Sequence, residues 1–530
     1  MRPIPKRLWV VVLLLGWGWD LLFWKRSIGL NFLIYTILCL LGGYYTLMSI
    51  GKYPAKSIYL LLPVTILAAF GMILRQETFT LFLDLVVTLF GLTLIAISYQ
   101  GGKWIQYGIV DYISNIFRLG IHMLLNPFVV LFMNKEKTVS ENNRKSISPK
   151  IVPVIKGVAL ALPLLVIFSW LFASADLIFN QQITTFLKLF SIEQIPLLIL
   201  RFGLILSAAY ALSGVYLYAA QYSDKEMNTV INKIRLSPFL GMTESGIVLG
   251  SVIVLFSFFI LLQFKYLFGG QANIHLDGFT YAEYARRGFG ELVVVAFGAL
   301  LLIIGLAAVT ERPHEQERRL FNGLISILVG LVLGILASAY QRLTLYEAAY
   351  GFSRLRVYTH VFLVWVGVLL MAVLFLELLQ HHQRIMFAIL VAGFGFVVSI
   401  NVINVDAFIV RHNLAREQER LNQKINQPVA FDERYLLQLS ADAILPLTQS
   451  LENGKLEESV NQKVAALLIC FENRQSFQRP LAWQEFNLGH YYAEKAIQSV
   501  KSLLTNYRTI TEEGTVWVML PSGDRFSCNP

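Results

Sequence analysis

Eleven apolar runs, most of them close to twenty residues long, follow one another along the first 405 residues of this chain: 8–24, 28–50, 58–74, 79–98, 151–173, 195–220, 243–268, 289–309, 320–341, 357–379 and 384–405. A hydrocarbon core about 30 Å thick is crossed by roughly 20 apolar residues in a helix, so the runs match a bilayer. The composition agrees. Hydrophobic residues make up 56% of the 530 positions and charged residues 15%, against about 25% charged in an ordinary soluble domain. A globular core cannot hide that much apolar surface, and the same figures exclude disorder. The expected fold is an all-α polytopic membrane protein with about 11 transmembrane helices and a small, mainly helical C-terminal domain.

Two segments need separate treatment. The first run has a basic start (Arg2, Lys6, Arg7), and Trp24-Lys25-Arg26 follows it where a leader would have small residues. It reads as a retained span. Residues 105–133 contain an apolar stretch, Leu119 to Phe132, interrupted by Asn126-Pro127. That stretch is short for a crossing and reads as an interfacial or re-entrant helix. Four regions follow: 1–104, an N-terminal four-helix membrane region; 105–150, the interfacial segment and a basic loop; 151–410, a seven-helix membrane domain; and 411–530, a soluble C-terminal domain.

With the N-terminus in the cytoplasm, inner segments hold 20 Lys and Arg and outer segments 11. The positive-inside bias favours that orientation and places the C-terminus outside. Residues 411–530 balance at −1 and the rest of the chain at +11. The basic charge is spread as topology signals, so no nucleic-acid partner is expected.

The C-terminal region reads as helices at 411–427, 432–439, 441–451, 456–473 and 483–508, then a strand at 515–520 and a turn at 521–524. Cys470 and Cys528 would pair only in an oxidising compartment; the plainer reading leaves two free thiols. Three cysteines in all exclude a disulfide scaffold. No P-loop, zincin pattern or nucleophile elbow is present, and no cofactor or metal is implied.

Two loops carry the polar character expected of a site. One is Tyr281 to Glu291, with Glu283, Arg286 and Arg287; the other is Arg342 to His360, with Tyr346, Glu347, Tyr350, Arg354 and Arg356. Arginine in outer loops runs against the positive-inside bias. Either these arginines pair with Glu283, Glu291 and Glu347, or they bind an anionic lipid or an envelope glycan, since a guanidinium fork suits phosphate and carboxylate. A third reading makes Glu291 or Glu347 a general acid or base, or a proton carrier. Asn401, Asn404 and Asp406 close the last span, Asn401 and Asn404 three residues apart on one helical face. Asp20, Asp84, Arg201 and Glu244 fall near predicted span ends.

The strings YAEYARRGFGEL (281–292), YEAAYGFSRLRVYTHVFLVW (346–365) and NVINVDAFIVRHN (401–413) together resemble the bacterial family of unknown function numbered 4173, related to the 4153 group. YLLQLSADAILPL (435–447) and RPLAWQEFNLGHYYAEKAI (479–497) are similar to that family's C-terminal end. This chain has Phe486-Asn487-Leu488-Gly489-His490 where the pattern has Trp-Asn and a basic residue. The resemblance implies a multi-pass protein of the bacterial cytoplasmic membrane and no particular activity. The leading expectation is a non-enzymatic protein that senses or binds an envelope component through its outer Arg/Tyr/Glu loops. The alternatives are a secondary transporter of a small solute and a lipid- or glycan-modifying membrane enzyme.

Overall fold

A computed structural model describes residues 6–132, 195–223, 239–268, 289–423 and 432–529, apart from 455, 475, 476, 478 and 513, with scattered positions in 168–182. The expected span at 151–173 and the loop bearing Glu283, Arg286 and Arg287 lie outside the described residues, save isolated positions of the former. The described helices up to residue 403 are α1 (Lys6–Phe23), α2 (Leu30–Met48), α3 (Ile58–Leu74), α4 (Thr78–Ser98), α5 (Ile109–Phe132), α6 (Ile195–Gln221), α7 (Met242–Phe268), α8 (Phe289–Val309), α9 (Glu315–Tyr350), α10 (Arg354–Leu378) and α11 (Ile385–Ile403). Among the described residues nine helices are long and apolar enough to cross a membrane, namely α2 and α4 to α11; α3 is apolar but shorter. The chain is an all-α polytopic membrane protein.

Two segments differ from expectation. Residues 109–132 form one continuous helix whose Ile109–Val130 part is long and apolar enough to span. Pro127 lies inside it, lacking the amide that would continue the backbone ladder. The Tyr210 hydroxyl donates to the Leu124 carbonyl oxygen, and Gly214 brings its backbone onto Met123. The neighbouring helix thus packs its backbone and a hydroxyl donor against the turn before the proline. The second polar loop is no loop. Residues 342–350 complete α9, a corner occupies 351–353, and α10 starts at Arg354. Gly351 has φ +78°, a conformation that favours glycine. Asn413 braces the corner, accepting from the Phe352 amide at 2.7 Å and donating to its carbonyl oxygen at 3.0 Å.

The described chain forms two units. One holds residues 1–24 and 119–218. In it Leu8, Val12 and Leu15 pack on Ala209, Tyr216 and Leu217, and Arg201 forks onto the buried Asp20, with Nε to Oδ1 at 3.0 Å. Asp20 and Arg201, read from sequence as separate span-end charges, neutralise each other.

The other unit holds residues 25–118 and 219–530. Its α7, α8, α9 and α10 share a core around Ile303, Phe321, Leu328, Val332 and Leu370. Helix α3 lies close on α4, because a β-carbon at Gly91 would come within 2.3 Å of Thr65 Oγ1. After α11, the left-handed Asn404 breaks the helix and α12 (Val405–Gln423) begins. The C-terminal domain adds α13 (Glu433–Leu437), α14 (Ile444–Asn453), α15 (Glu458–Glu472), α16 (Leu488–Ser499) and α17 (Lys501–Leu504). An antiparallel sheet follows, β1 (Arg508–Glu512), β2 (Thr515–Met519) and β3 (Arg525–Ser527), in the order β1-β2-β3. Cys470 and Cys528 form a disulfide, which corrects the reading of two free thiols. The domain's core is continuous with the helix ends: Val357, Ile400, Ile409 and Val410 join Leu437, Ile444, Leu467 and Phe471.

Candidate functional site

The C-terminal domain meets three helix corners of its own unit through a buried polar joint. At its centre Arg354, the first residue of α10, makes a two-pronged contact with Asp406 of α12: Nε to Oδ1 at 2.7 Å and Nη2 to Oδ2 at 2.6 Å. This planar fork is the geometry guanidinium and carboxylate prefer. Asp406 also accepts the Ser440 amide at 2.7 Å, and Tyr435 accepts the Arg354 amide at 2.7 Å. Glu77 completes the surroundings at 3.8 Å from Arg354 Nε, while its carboxylate caps α4 by accepting the Phe79 and Thr80 amides.

Beside this pair, Asn401 Nδ2 donates to Asp84 at 2.9 Å, and Arg75 Nε donates to the Asn401 carbonyl oxygen at 2.7 Å. Gly71 makes room, since a β-carbon there would come within 2.3 Å of Asp84 Oδ2. Asp442 accepts the Gln76 amide at 2.7 Å. Burial pushes Asp442 up to about 6, against the pull of that amide and of Arg75.

A second contact joins the domain to the corner before α2. Glu485 is buried and accepts the Ser27 amide at 2.8 Å and the Ser27 hydroxyl at 3.1 Å. Arg479 donates to the same carboxylate. Burial works to raise Glu485, but these hydrogen bonds and the Ala482 amide outweigh it and hold the carboxyl at about 2. The Leu30 amide donates to the Phe486 carbonyl oxygen at 3.0 Å. Gly29 lies so close that a β-carbon would come within 2.7 Å of that oxygen. Asn487 Nδ2 bridges the Met72 and Arg75 carbonyl oxygens at 3.0 and 2.9 Å.

The structure thus draws Arg354, Asp406 and Asn401 into one network and uses Asn404 as the helix break. Arg356 lies 4.0 Å over the Tyr346 ring, and Tyr350 meets Tyr346 edge-on at 5.1 Å. Glu347 is buried, its Oε1 3.1 Å from His360 Nδ1. Glu291 is exposed in the first turn of α8. Arg286 and Arg287 lie outside the described residues. Sequence reasoning passed over Arg75, Glu77, Asp442 and Glu485, and took Asp84 for an ordinary span-end charge. One signal was available for Asp84: a carboxylate set well inside an apolar run needs a partner. Among the described residues no three of His, Cys, Asp and Glu converge as a metal site requires.

A family model described as a domain of unknown function, DUF4153, matches residues 62–450. The chain belongs to the DUF4153 family. The matched DUF4153 region runs from α3 through α14 and contains Arg75, Asp84, Arg354, Asn401, Asp406 and Asp442, so the centre of the joint lies within it. Glu485, Asn487 and His490 lie beyond it. No curated protein and no solved structure matches the chain.

Proposed function

We propose that this DUF4153 protein is a non-enzymatic membrane protein whose C-terminal domain faces the envelope, binds a component there and couples its state to the helices. The observation that carries the reading is the Arg354–Asp406 fork closed by the Ser440 amide. It ties the first turn of a membrane helix to the C-terminal domain, so a change in the domain is felt at α10.

Two further observations support the orientation. The corners of this unit at the end away from the domain carry Lys52, Lys56, Lys103, Arg312 and Arg384, and the positive-inside bias makes that end cytoplasmic. The Cys470–Cys528 disulfide suits an oxidising compartment. On the same reading the host is a bacterium and the chain is related to the 4173 group, which the resemblance of the motifs at 281–292, 346–365 and 401–413 supports.

Paired C-terminal reporters, one active only in the cytoplasm and one only outside it, test the orientation. Activity of the outside reporter is expected; a cytoplasmic C-terminus overturns the reading. A second reading, a lipid- or glycan-modifying enzyme, is favoured by one observation. The Glu347–His360 contact continues to Thr344 Oγ1, 3.5 Å from His360 Nε2, an order of groups that suits base catalysis. Complementation of a deletion strain by His360→Ala at normal protein level removes that reading.

A further inference from the structure

We propose that the C-terminal domain binds a sugar ring in the pocket around His490. This deepens the preceding reading and rests on the domain's facing the envelope.

A cavity of about 440 Å3 opens in this domain, lined among others by Phe477, Arg479, Phe486, His490, Tyr491 and Glu494. Its size falls within the ~300–1,000 Å3 of small-molecule sites. The decisive group is His490. It is 7% exposed and lies flat on Phe477, ring centres 4.5 Å apart. Its ring nitrogens hydrogen-bond to no described residue, although the ring lines the cavity. These nitrogens are not among the fully buried unpartnered atoms, so they reach the open space of the cavity, where a ligand or water can meet their hydrogen-bonding capacity. Burial pulls the imidazole below its ordinary pKa, with Glu494 opposing, which favours the neutral form. A neutral imidazole offers one donor and one acceptor.

Glu494 lies one turn further along α16, exposed, and makes no ion pair with a described residue. Arg479 pairs with Glu485, which Arg26 also approaches at 3.8 Å, and Glu494 stands in the same lining, so these four groups balance and no net positive charge draws an anionic ligand. Phe486 and Tyr491 supply aromatic surface, ring centres 6.1 Å apart. A carboxylate acceptor, a neutral donor–acceptor and aromatic faces together match a ring of hydroxyl groups with an apolar C–H face. The pocket also borders the bilayer surface. Its own Phe486 and Asn487 bond to residues at the start of α2 and the end of α3, and Trp483 and Tyr492 stand exposed nearby, as aromatic residues do at membrane interfaces. The sugar is therefore a glycolipid headgroup or a free envelope glycan.

The test uses the full chain in detergent and in lipid nanodiscs. One arm is an array of mono- to tetrasaccharides covering gluco, galacto, manno and N-acetylated hexoses. The other is phosphatidylglycerol vesicles with and without glucosyl- or galactosyl-diacylglycerol. Binding to at least one sugar is expected, weakened at least tenfold by Glu494→Gln and by Tyr491→Ala with no change in melting temperature. Array binding marks a free glycan; binding only to glycolipid vesicles marks a headgroup. No sugar binding in either arm overturns the proposal. So does sugar binding that both variants leave intact, or equal binding to sugar-free phosphatidylethanolamine vesicles. Sugar binding by a protein whose C-terminus proves cytoplasmic would sink the envelope reading and leave the pocket standing.

Discussion

The Arg354–Asp406 fork and the pocket around His490 are built from similar residue types and differ in whether their polar groups are satisfied, while beside the fork Asp84 Oδ2 and Asn401 Oδ1 are buried without a described hydrogen-bond partner. Arg354 and Asp406 use each other, a backbone amide and a tyrosine hydroxyl. Among the described residues the His490 ring nitrogens and the Glu494 carboxylate have no hydrogen-bond partner. The first arrangement fixes geometry, because removing any one partner strands another in a place without water. The second leaves bonding capacity unspent beside open space. A polar cluster is therefore read by its unmet hydrogen bonds rather than by its charge count.

Breaking the fork gives the largest expected effect. Arg354→Ala leaves Asp406 buried beside Glu77 with no compensating cation, and a buried pair broken on one side costs about 3–5 kcal/mol. The purified variant is expected to melt far below the parent. Arg354→Met combined with Asp406→Leu should recover most of that loss, since both charges go together. If the single variant melts like the parent, the joint is not what holds the domain to the helices.

Removing the disulfide comes next. It closes a loop across the domain, from α15 to the residue after β3. Cys470→Ser is expected to cost about 2–4 kcal/mol. The loss should appear as faster proteolysis within residues 432–529, with the membrane helices unaffected. A parent protein that proves reduced when isolated under non-reducing conditions would contradict both this expectation and the outward orientation.

Much of the fold was legible because lipid imposes a simple rule on composition, and nearly every apolar run in the described region became a helix. The exceptions have local causes. Arg342, Thr344 and Glu347 looked like a loop by polarity, yet Leu343 and Glu347 keep a buried face at helical spacing, and α9 continues through them. Leu119 to Phe132 looked too short because Pro127 was weighed without Tyr210. The site was half legible. Arg354, Asn401 and Asp406 stood out as polar residues at span ends. Their partners Asp84 and Glu77 lie some 270 to 330 positions earlier, and nothing in one sequence marks such a pairing. The Cys470–Cys528 bond was left open because pairing turns on compartment, and compartment turned on a helix count.

A pH titration sharpens the contrast between the two docking acids. Glu485 sits at about 2 in the folded protein, below its unfolded value near 4.3. Its contribution is complete above the unfolded value and is lost as pH falls towards 2. Asp442 sits at about 6, above its unfolded value near 3.9. The folded state holds that proton more tightly, so stability declines as pH rises from about 4 to about 6. Glu485→Gln should flatten the first slope and Asp442→Asn the second, each read from melting temperature against pH. Slopes unchanged in both variants would mean that other groups control docking.

The smallest expected effect belongs to the pocket, and it decides whether the comparison holds. Glu494 is exposed and makes no described hydrogen bond, so Glu494→Gln removes no interaction from the folded state. Surface changes away from caps and pairs fall within about 0.5 kcal/mol. His490 makes no ring-nitrogen hydrogen bond to a described residue, so His490→Phe keeps the stack on Phe477 and removes two polar atoms without a described partner. Replacing a polar ring that makes no hydrogen bond to a described residue by an apolar one of similar shape can be nearly neutral. The variant should therefore melt at or slightly above the parent while its ligand binding falls. A clear loss of stability would mean that His490 has a structural partner and that the unmet hydrogen bonds of the pocket are not spare capacity.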